Sequence, residues 1–186
     1  MSFNVHDSYK DLSVEDLKLV SNVSRLPYSV CLLNLEHDLN IGNCIRTAHI
    51  FGVEKVFIFG KRRYDLRSTV GANHYTNIIK HNFIDLTEDS VISDEFEKMV
   101  CENDLQPLLV DKTEKSVDIN GMFDYYDYTR KGYPCLVFGN ENSGIPTCLT
   151  DKYPCFHIRQ RGVIRSLNVA SAAAVAMYEF SKYLEE

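Results

Sequence analysis

The sequence predicts an α/β fold, a mostly parallel sheet with helices on both faces, and three observations predict it. Short runs that are apolar at nearly every position recur along the chain, such as Val30-Cys31-Leu32-Leu33 and Cys135-Leu136-Val137-Phe138. A strand of that kind is buried on both faces. Segments of helical character stand between these runs, and such alternation gives a parallel sheet covered by helices. The polar and Gly-rich stretches, 34–43, 139–144 and 159–168, follow directly on apolar runs. They therefore lie beyond the carboxyl ends of strands, where open parallel sheets bind their ligands.

The elements follow in order. Residues 14–21 read as a short amphipathic helix with Ser13 as its N-cap. The run 28–34, bounded by Pro27, is a buried strand. Residues 41–51 form a helix capped by Asn40 and ended by Gly52. A second strand covers 56–59, stopped by Gly60, and a third covers 77–83. Residues 93–102 suit a helix; 108–110 and 135–138 are buried strands, and 156–158 is a last short one. The strongest helix signal is at 167–184, Ala-rich from Ala170 to Ala176, with Ser166 as its cap.

With 186 residues and no repeat, low-complexity tract or linker, the chain reads as a single domain, 1–186. Residues 1–27 form a helical extension ahead of the first strand. No run approaches ~20 apolar residues, so no membrane-spanning helix is expected. Met1–Asp7 lacks the basic and apolar regions of a secretory signal. Six cysteines, at 31, 44, 101, 135, 148 and 155, form no C-x-x-C pair. They read as reduced thiols of a cytoplasmic protein rather than as zinc ligands or a redox motif.

The net charge of −6 argues weakly against a nucleic-acid partner. The charge is uneven, however. Lys61, Arg62, Arg63 and Arg67 form one basic cluster and Arg159, Arg161 and Arg165 another, while acids gather between 85 and 97. Either cluster alone reads as solvated surface charge, yet a local basic face on an acidic protein can still bind phosphates.

Three segments carry chemistry. In Asn40-Ile41-Gly42-Asn43-Cys44-Ile45-Arg46, Gly42 permits close approach of a backbone or ligand. Arg46 presents a planar fork of donors suited to phosphate or carboxylate. Phe138-Gly139-Asn140-Glu141-Asn142-Ser143-Gly144 is a strand running into a loop with two glycines, whose backbone can face a ligand directly. The third segment, Ile158 to Ser171, carries three arginines and enters the Ala-rich helix. Taken singly, the three are also compatible with a capped helix, a plain turn and a capped core helix. A G-x-G-x-x-G fingerprint and a P-loop are absent from the sequence, which disfavours an enzyme of another nucleotide.

Together, and in this order, the segments resemble the three motifs of the SpoU/TrmH family in the SPOUT class of RNA methyltransferases. N-x-G-x-x-x-R is matched by Asn40, Gly42 and Arg46, and G-[NS]-E-x-x-G by Gly139, Asn140, Glu141 and Gly144. Gly followed by S-L-N-V is matched by Gly162, Ser166, Leu167, Asn168 and Val169. The resemblance covers roughly residues 28–184. Arg159 stands where the family often has Pro, and Ala170 where it often has Ser.

The resemblance implies a C-terminal trefoil knot over about 108–184 that binds S-adenosylmethionine, with no metal. Val110, Gly139, Asn140, Gly144, Ile158 and Leu167 would form that pocket. Arg46, Asn40, Glu141, Ser166 and Asn168 would serve methyl transfer to a ribose 2′-hydroxyl. Lys61, Arg62, Arg63, Arg67, Arg161 and Arg165 would contact RNA, a transfer RNA first and a ribosomal RNA next. A cytoplasmic homodimer is implied. The other reading is a non-catalytic RNA-binding module that keeps the fold.

Overall fold

The computed structural model describes residues 5–60, 64–81, 89–126 and 132–185. Its centre is a seven-stranded sheet of β1 (Leu26–Leu33), β2 (Val53–Phe59), β3 (Ile78–His81), β4 (Leu105–Val110), β5 (Val117–Asp118), β6 (Tyr133–Phe138) and β7 (Cys155–His157). The strand order is β3-β2-β1-β6-β4-β7-β5, and every pairing is parallel. Among the described residues five α-helices accompany the sheet: α1 (Val14–Val23), α2 (Asp38–Ile50), α3 (Asp89–Glu102), α4 (Thr147–Thr150) and α5 (Val169–Glu185).

Two cores explain why the strands read as continuous apolar runs. On one face Tyr28, Val30 and Leu32 of β1 meet Ile41, Cys44, Ile45 and Ala48 of α2 and Ala173, Ala176, Met177 and Phe180 of α5. On the other, Cys31 and Leu33 of the same strand meet Phe96 and Met99 of α3 and Leu149 of α4. Successive residues of one strand thus enter different cores, and from Tyr28 to Leu33 the small Ser29 is the one polar side chain buried with them. The alanines of α5 let it pack close to α2 and the sheet.

Most expected elements stand, with shifted limits. Ser13 caps α1 by accepting the Asp16 N–H. β1 starts earlier than expected and includes Pro27, which sits where the register with β2 slips between Leu26 and Ser29, an irregularity that tolerates a residue without an N–H. β2, α3, β4 and β6 likewise extend further towards the N-terminus. Residues 82 and 83 of the expected third strand lie outside the described residues. Four 3₁₀ turns (Asp7–Tyr9, Leu66–Thr69, Ala72–His74 and Ile119–Tyr125), β5 and α4 were not foreseen.

Two caps are corrected. Asn40 does not cap α2; the helix begins at Asp38, so Asn40 lies inside its first turn, and His37, at the cap position, makes no side-chain cap bond. The N–H groups of Glu36 and His37 go instead to the carboxylate of Glu141, far away in sequence. Ser166 does not cap α5 either. Asn168 does, its Oδ1 accepting the N–H groups of Ala170 and Ser171. Of the cysteines, Cys31, Cys44, Cys135 and Cys155 are buried, while Cys101 is exposed and Cys148 intermediate; all six are free.

The sheet order puts β1 beside β6. The chain leaves β1 for α2 on one face and leaves β6 for α4 on the other. That divergence opens a crevice between the two strand ends, the place where ligands sit in open parallel sheets.

Candidate functional site

The three sequence motifs meet at this crevice. Asn40 Nδ2 donates to Glu141 Oε1 at 2.7 Å, and Asn40 Oδ1 accepts from Asn168 Nδ2 at 3.1 Å. Asn40 is buried, at 8% exposure, so it brings the start of α2, the loop after β6 and the start of α5 to one point. Glu141 also accepts the N–H of Glu36 at 2.7 Å and of His37 at 3.1 Å. Burial works against its charge, but these amide donors, Asn40 and its own N–H outweigh burial and hold the carboxyl below the ordinary glutamate range. Burial, with the charge of Glu141 second, pushes the Cys44 thiol up to about 12, so Cys44 is an inert filler of the core.

The loop 139–146 is closed on itself. Asn140 and Gly144 exchange both backbone hydrogen bonds, at 3.1 and 2.9 Å. A Cβ on Gly139 would lie 2.4 Å from the carbonyl carbon of Gly144, so only glycine lets the loop fold back this tightly. Asn140 Oδ1 takes the N–H groups of Asn142 and Ser143, and Asp111 Oδ2 takes that of Ile145 at 2.8 Å. Four N–H groups are therefore spent within the loop and a fifth on Asp111. The carbonyl oxygens of Glu141, Asn142 and Ser143 have no donor among the described residues. This is the reverse of a phosphate-binding nest, which aims N–H groups outward. The loop suits a ligand that is cationic or rich in donors.

The other predicted site residues fall as follows. Arg46 lies on the exposed side of α2, about 9 Å along the helix axis from Asn40 at the usual rise per residue. It has neither ion pair nor hydrogen bond among the described residues. Val110 ends β4 and Ile158 follows β7; both are half-buried against the core of α2 and α5. Leu167 is 43% exposed, and Ser166 is exposed too. Neither Ser166 nor Arg46 is bonded to the Asn40–Glu141–Asn168 group. A cavity of about 270 Å³ opens beside the loop 139–146, lined in part by Leu33, Asn34, Ile92 and Pro146. Of the six residues assigned to the cofactor, only Asn140 and Gly144 reach it.

Among the basic residues, Lys61, Arg62 and Arg63 lie outside the described residues. Arg67 is held by Asp65, with Nη2–Oδ2 at 2.7 Å, and Arg159 by Asp118 at 3.1 Å. Arg161 and Arg165 are exposed and have no such partner among the described residues. Among the described residues no cluster of three or more His, Cys, Asp or Glu could hold a metal ion. No described helix is long and apolar enough to cross a membrane.

The motif reading missed Glu36, Asn142 and Asp111, which hold the loop in place. Their one sequence signal is position, just after strand ends.

The sequence profile of the SpoU rRNA methylase family matches residues 27–178, a span that contains every residue of the central junction. The chain belongs to this family. It is 31% identical, over 89% of its length, to a protein of Staphylococcus epidermidis assigned to the TrmH family of tRNA/rRNA methyltransferases. It spans 62% of that relative's own length. Among solved structures, the A. aeolicus TrmH/SpoU tRNA modifying enzyme superposes with a TM-score of 0.70 at 22% identity, covering 92% of this chain and 82% of that one. The AdoMet-bound rRNA methyltransferase of Sinorhizobium meliloti gives 0.68 at 23% identity, covering 90% and 60%. The parallel sheet of this SpoU family member is the fold of those SPOUT neighbours.

Proposed function

We propose that this chain transfers a methyl group from S-adenosylmethionine to a ribose 2′-hydroxyl of RNA, with transfer RNA the first substrate class and ribosomal RNA the next. One observation carries the reading. Asn40, Glu141 and Asn168, drawn from three distant segments, are bonded at one point, while Arg46 on the same helix is exposed and has no partner among the described residues. An exposed arginine alone is ordinary surface charge, but on the helix whose start this junction fixes its guanidinium is available to a phosphate or a developing oxyanion. The relatives named above as tRNA/rRNA methyltransferases support the substrate class.

The donor chemistry of the site fits the cofactor. The loop's carbonyl oxygens that lack a donor among the described residues suit a sulfonium and an amino group, and Val110, Gly139, Asn140, Gly144, Ile158 and Leu167 would hold the cofactor. S-adenosylmethionine, when bound, supplies an activated methyl group. The rest falls to the chain. Arg46 stays protonated, so it does not act as a base. Its guanidinium stabilises the negative charge that grows on the ribose oxygen as the hydroxyl proton leaves for a neighbouring RNA phosphate. Asn40 and Glu141 fix the start of α2 and so the height of Arg46, and Asn168 fixes the start of α5. Ser166, exposed just ahead of Asn168, is free to orient the ribose. Arg161 and Arg165, with Lys61, Arg62, Arg63 and Arg67, take the phosphates.

The same reading includes one domain over 1–186, a trefoil knot over about 108–184 and a homodimer. The knot is supported by the path from β7, beyond β4 in the sheet, back to Asn40 through Asn168. The homodimer is supported by exposed apolar side chains on adjoining helices: Leu39 and Ile50 of α2, Val175 and Tyr178 of α5. Sedimentation equilibrium tests it, since a monomer at micromolar concentration rejects it. A cytoplasmic setting agrees with six free thiols, four of them buried.

The deciding experiment incubates the protein with methyl-labelled S-adenosylmethionine and size-fractionated total RNA, then identifies labelled nucleosides after digestion. Label on a 2′-O-methylnucleoside in the small-RNA fraction is the expected result. Cofactor binding without label on any RNA would favour the binding module instead.

A further inference from the structure

Glu36 belongs to none of the three motifs, yet it sits at the seam between the end of β1 and the loop after β6. Its Oε1 accepts from Asn140 Nδ2 at 3.2 Å and its Oε2 from Asn142 Nδ2 at 2.8 Å. Its own backbone N–H goes the other way, to Glu141 Oε2 at 2.7 Å. Two glutamates are thus exchanged across one seam. Glu141 reaches from the loop to start α2, and Glu36 reaches from the approach to α2 to hold the loop.

The consequence runs through Asn140, which is 8% exposed. Its Nδ2 is shared between Glu36 and the carbonyl oxygen of Asn34 at 2.9 Å. With the NH₂ group held there, Oδ1 faces the N–H groups of Asn142 and Ser143 and accepts both, at 2.9 and 3.0 Å. Those two bonds fix the turn whose 141–143 carbonyl oxygens have no donor among the described residues. A carboxylate suits this post because it accepts at both oxygens and cannot donate. An amide in its place would accept from one asparagine and present an N–H to the other.

We propose that Glu36 is a positioning residue for the cofactor loop, fixing the Asn140 amide and through it the turn that carries the free carbonyl oxygens of 141–143. The inference rests on the reading of this loop as part of the S-adenosylmethionine site. Glu36 acts through Asn140 and Asn142, without touching the ligand.

The test uses three variants of the full chain, titrated calorimetrically with S-adenosylhomocysteine. Glu36→Gln weakens binding about tenfold, the size of one lost hydrogen bond to a charged group. Asn142→Asp, which sets two carboxylates against each other, weakens it at least as much. The double variant exchanges donor and acceptor between the two positions and restores binding to within about threefold of wild type, since the pair is remade with one charge. In turnover the single variants raise the cofactor KM, and kcat at saturating cofactor stays within about twofold. Failure of the wild type to bind S-adenosylhomocysteine refutes the parent reading. Wild-type binding with an unchanged Glu36→Gln variant, or a loss that the double variant does not repair, overturns the role of Glu36 alone.

Discussion

Asn40 and Glu141, 101 positions apart in the sequence, are joined by a hydrogen bond of 2.7 Å. The carboxylate that receives it also takes the N–H groups of Glu36 and His37. One side chain thus does the work of a helix cap and of a tie between the ends of β1 and β6. Asn40 passes the connection on to Asn168, and removing Glu141 leaves the buried Asn40 amide without its acceptor.

Glu141→Ala is therefore expected to destabilise the chain by about 2–3 kcal/mol and Asn40→Ala by about 1–2 kcal/mol, the range for hydrogen bonds involving a charged group and for unsatisfied buried amides. The double variant should fall short of the sum by at least about 0.5 kcal/mol, because the two residues share one bond. Urea unfolding of the four proteins measures this. Strict additivity would mean that the bond contributes nothing to the fold.

The same carboxylate predicts a pH dependence. Its folded-state pKa lies below the ordinary glutamate value because amide donors outweigh burial, so the unfolded chain binds the proton more readily. Stability from Glu141 is fully present above the ordinary glutamate pKa of about 4.3 and is lost as pH falls through the lower folded value. Glu97 and Asp118 are lowered as well. The informative quantity is thus the difference between wild type and Glu141→Gln, followed by thermal melts from neutral pH down to about pH 3. Wild type should lose the larger share of its stability over that window; parallel curves would show that the carboxyl titrates normally.

How much of this was legible in the sequence follows from the range of each interaction. Ser13 capping α1 is a contact between near neighbours, and it was read correctly. The apolar runs named the strands because burial on two faces leaves its mark at every position. Local grounds make Asn40 and Ser166 the cap candidates, and the structure gives the posts to others. Glu141 receives the N–H groups ahead of α2 through long-range contacts that only the folded sheet creates, whereas Asn168 caps α5 locally, two residues further on than the Ser166 that the sequence offers first. Glu36 and Asp111 escaped for the same reason as Glu141. Each looks like a solvated acid until the loop 139–146 closes against it.

Gly42 gives a steric prediction. It packs under the 3₁₀ turn Leu66–Thr69, and a Cβ there would lie 1.7 Å from Ser68 Oγ and 2.9 Å from the Ser68 carbonyl carbon. Gly42→Ala removes a helix-weakening residue, which alone would stabilise by up to about 1 kcal/mol. The backbone contact prevents that gain, and overpacking makes the variant less stable by about 1–3 kcal/mol. Pairing it with Ser68→Gly relieves the Oγ and Cβ clashes and should recover part of the loss. A more stable Gly42→Ala variant would show that the turn is free to move away.

Arg46 separates fold from chemistry. It is exposed and unpaired among the described residues, so Arg46→Ala should leave stability within about 0.5 kcal/mol. S-adenosylhomocysteine binding should be equally unaffected. Methyl transfer should fall by at least about 100-fold, the effect of losing one preorganised donor at a developing oxyanion. Arg46→Lys should not restore it, because a point charge on a flexible stem does not reproduce the planar fork. A loss of stability and transfer together would make Arg46 a structural residue.

The arginines also divide by pairing, and salt dependence reads that division. Asp65 holds Arg67 and Asp118 holds Arg159, whereas Arg161 and Arg165 have no acidic partner among the described residues. A free arginine that meets a phosphate displaces a condensed counterion at little cost. A paired one must first leave its carboxylate. Arg161→Ala and Arg165→Ala should each flatten the plot of log affinity for RNA against log salt by about 0.7–0.9, the contribution of one phosphate contact. Arg67→Ala and Arg159→Ala should flatten it less. Filter binding of transfer RNA between about 50 and 200 mM salt resolves slopes of this size. Equal effects at all four positions would mean that the carboxylates release their arginines freely, and no effect at Arg161 or Arg165 would remove the loop 158–168 from the RNA surface.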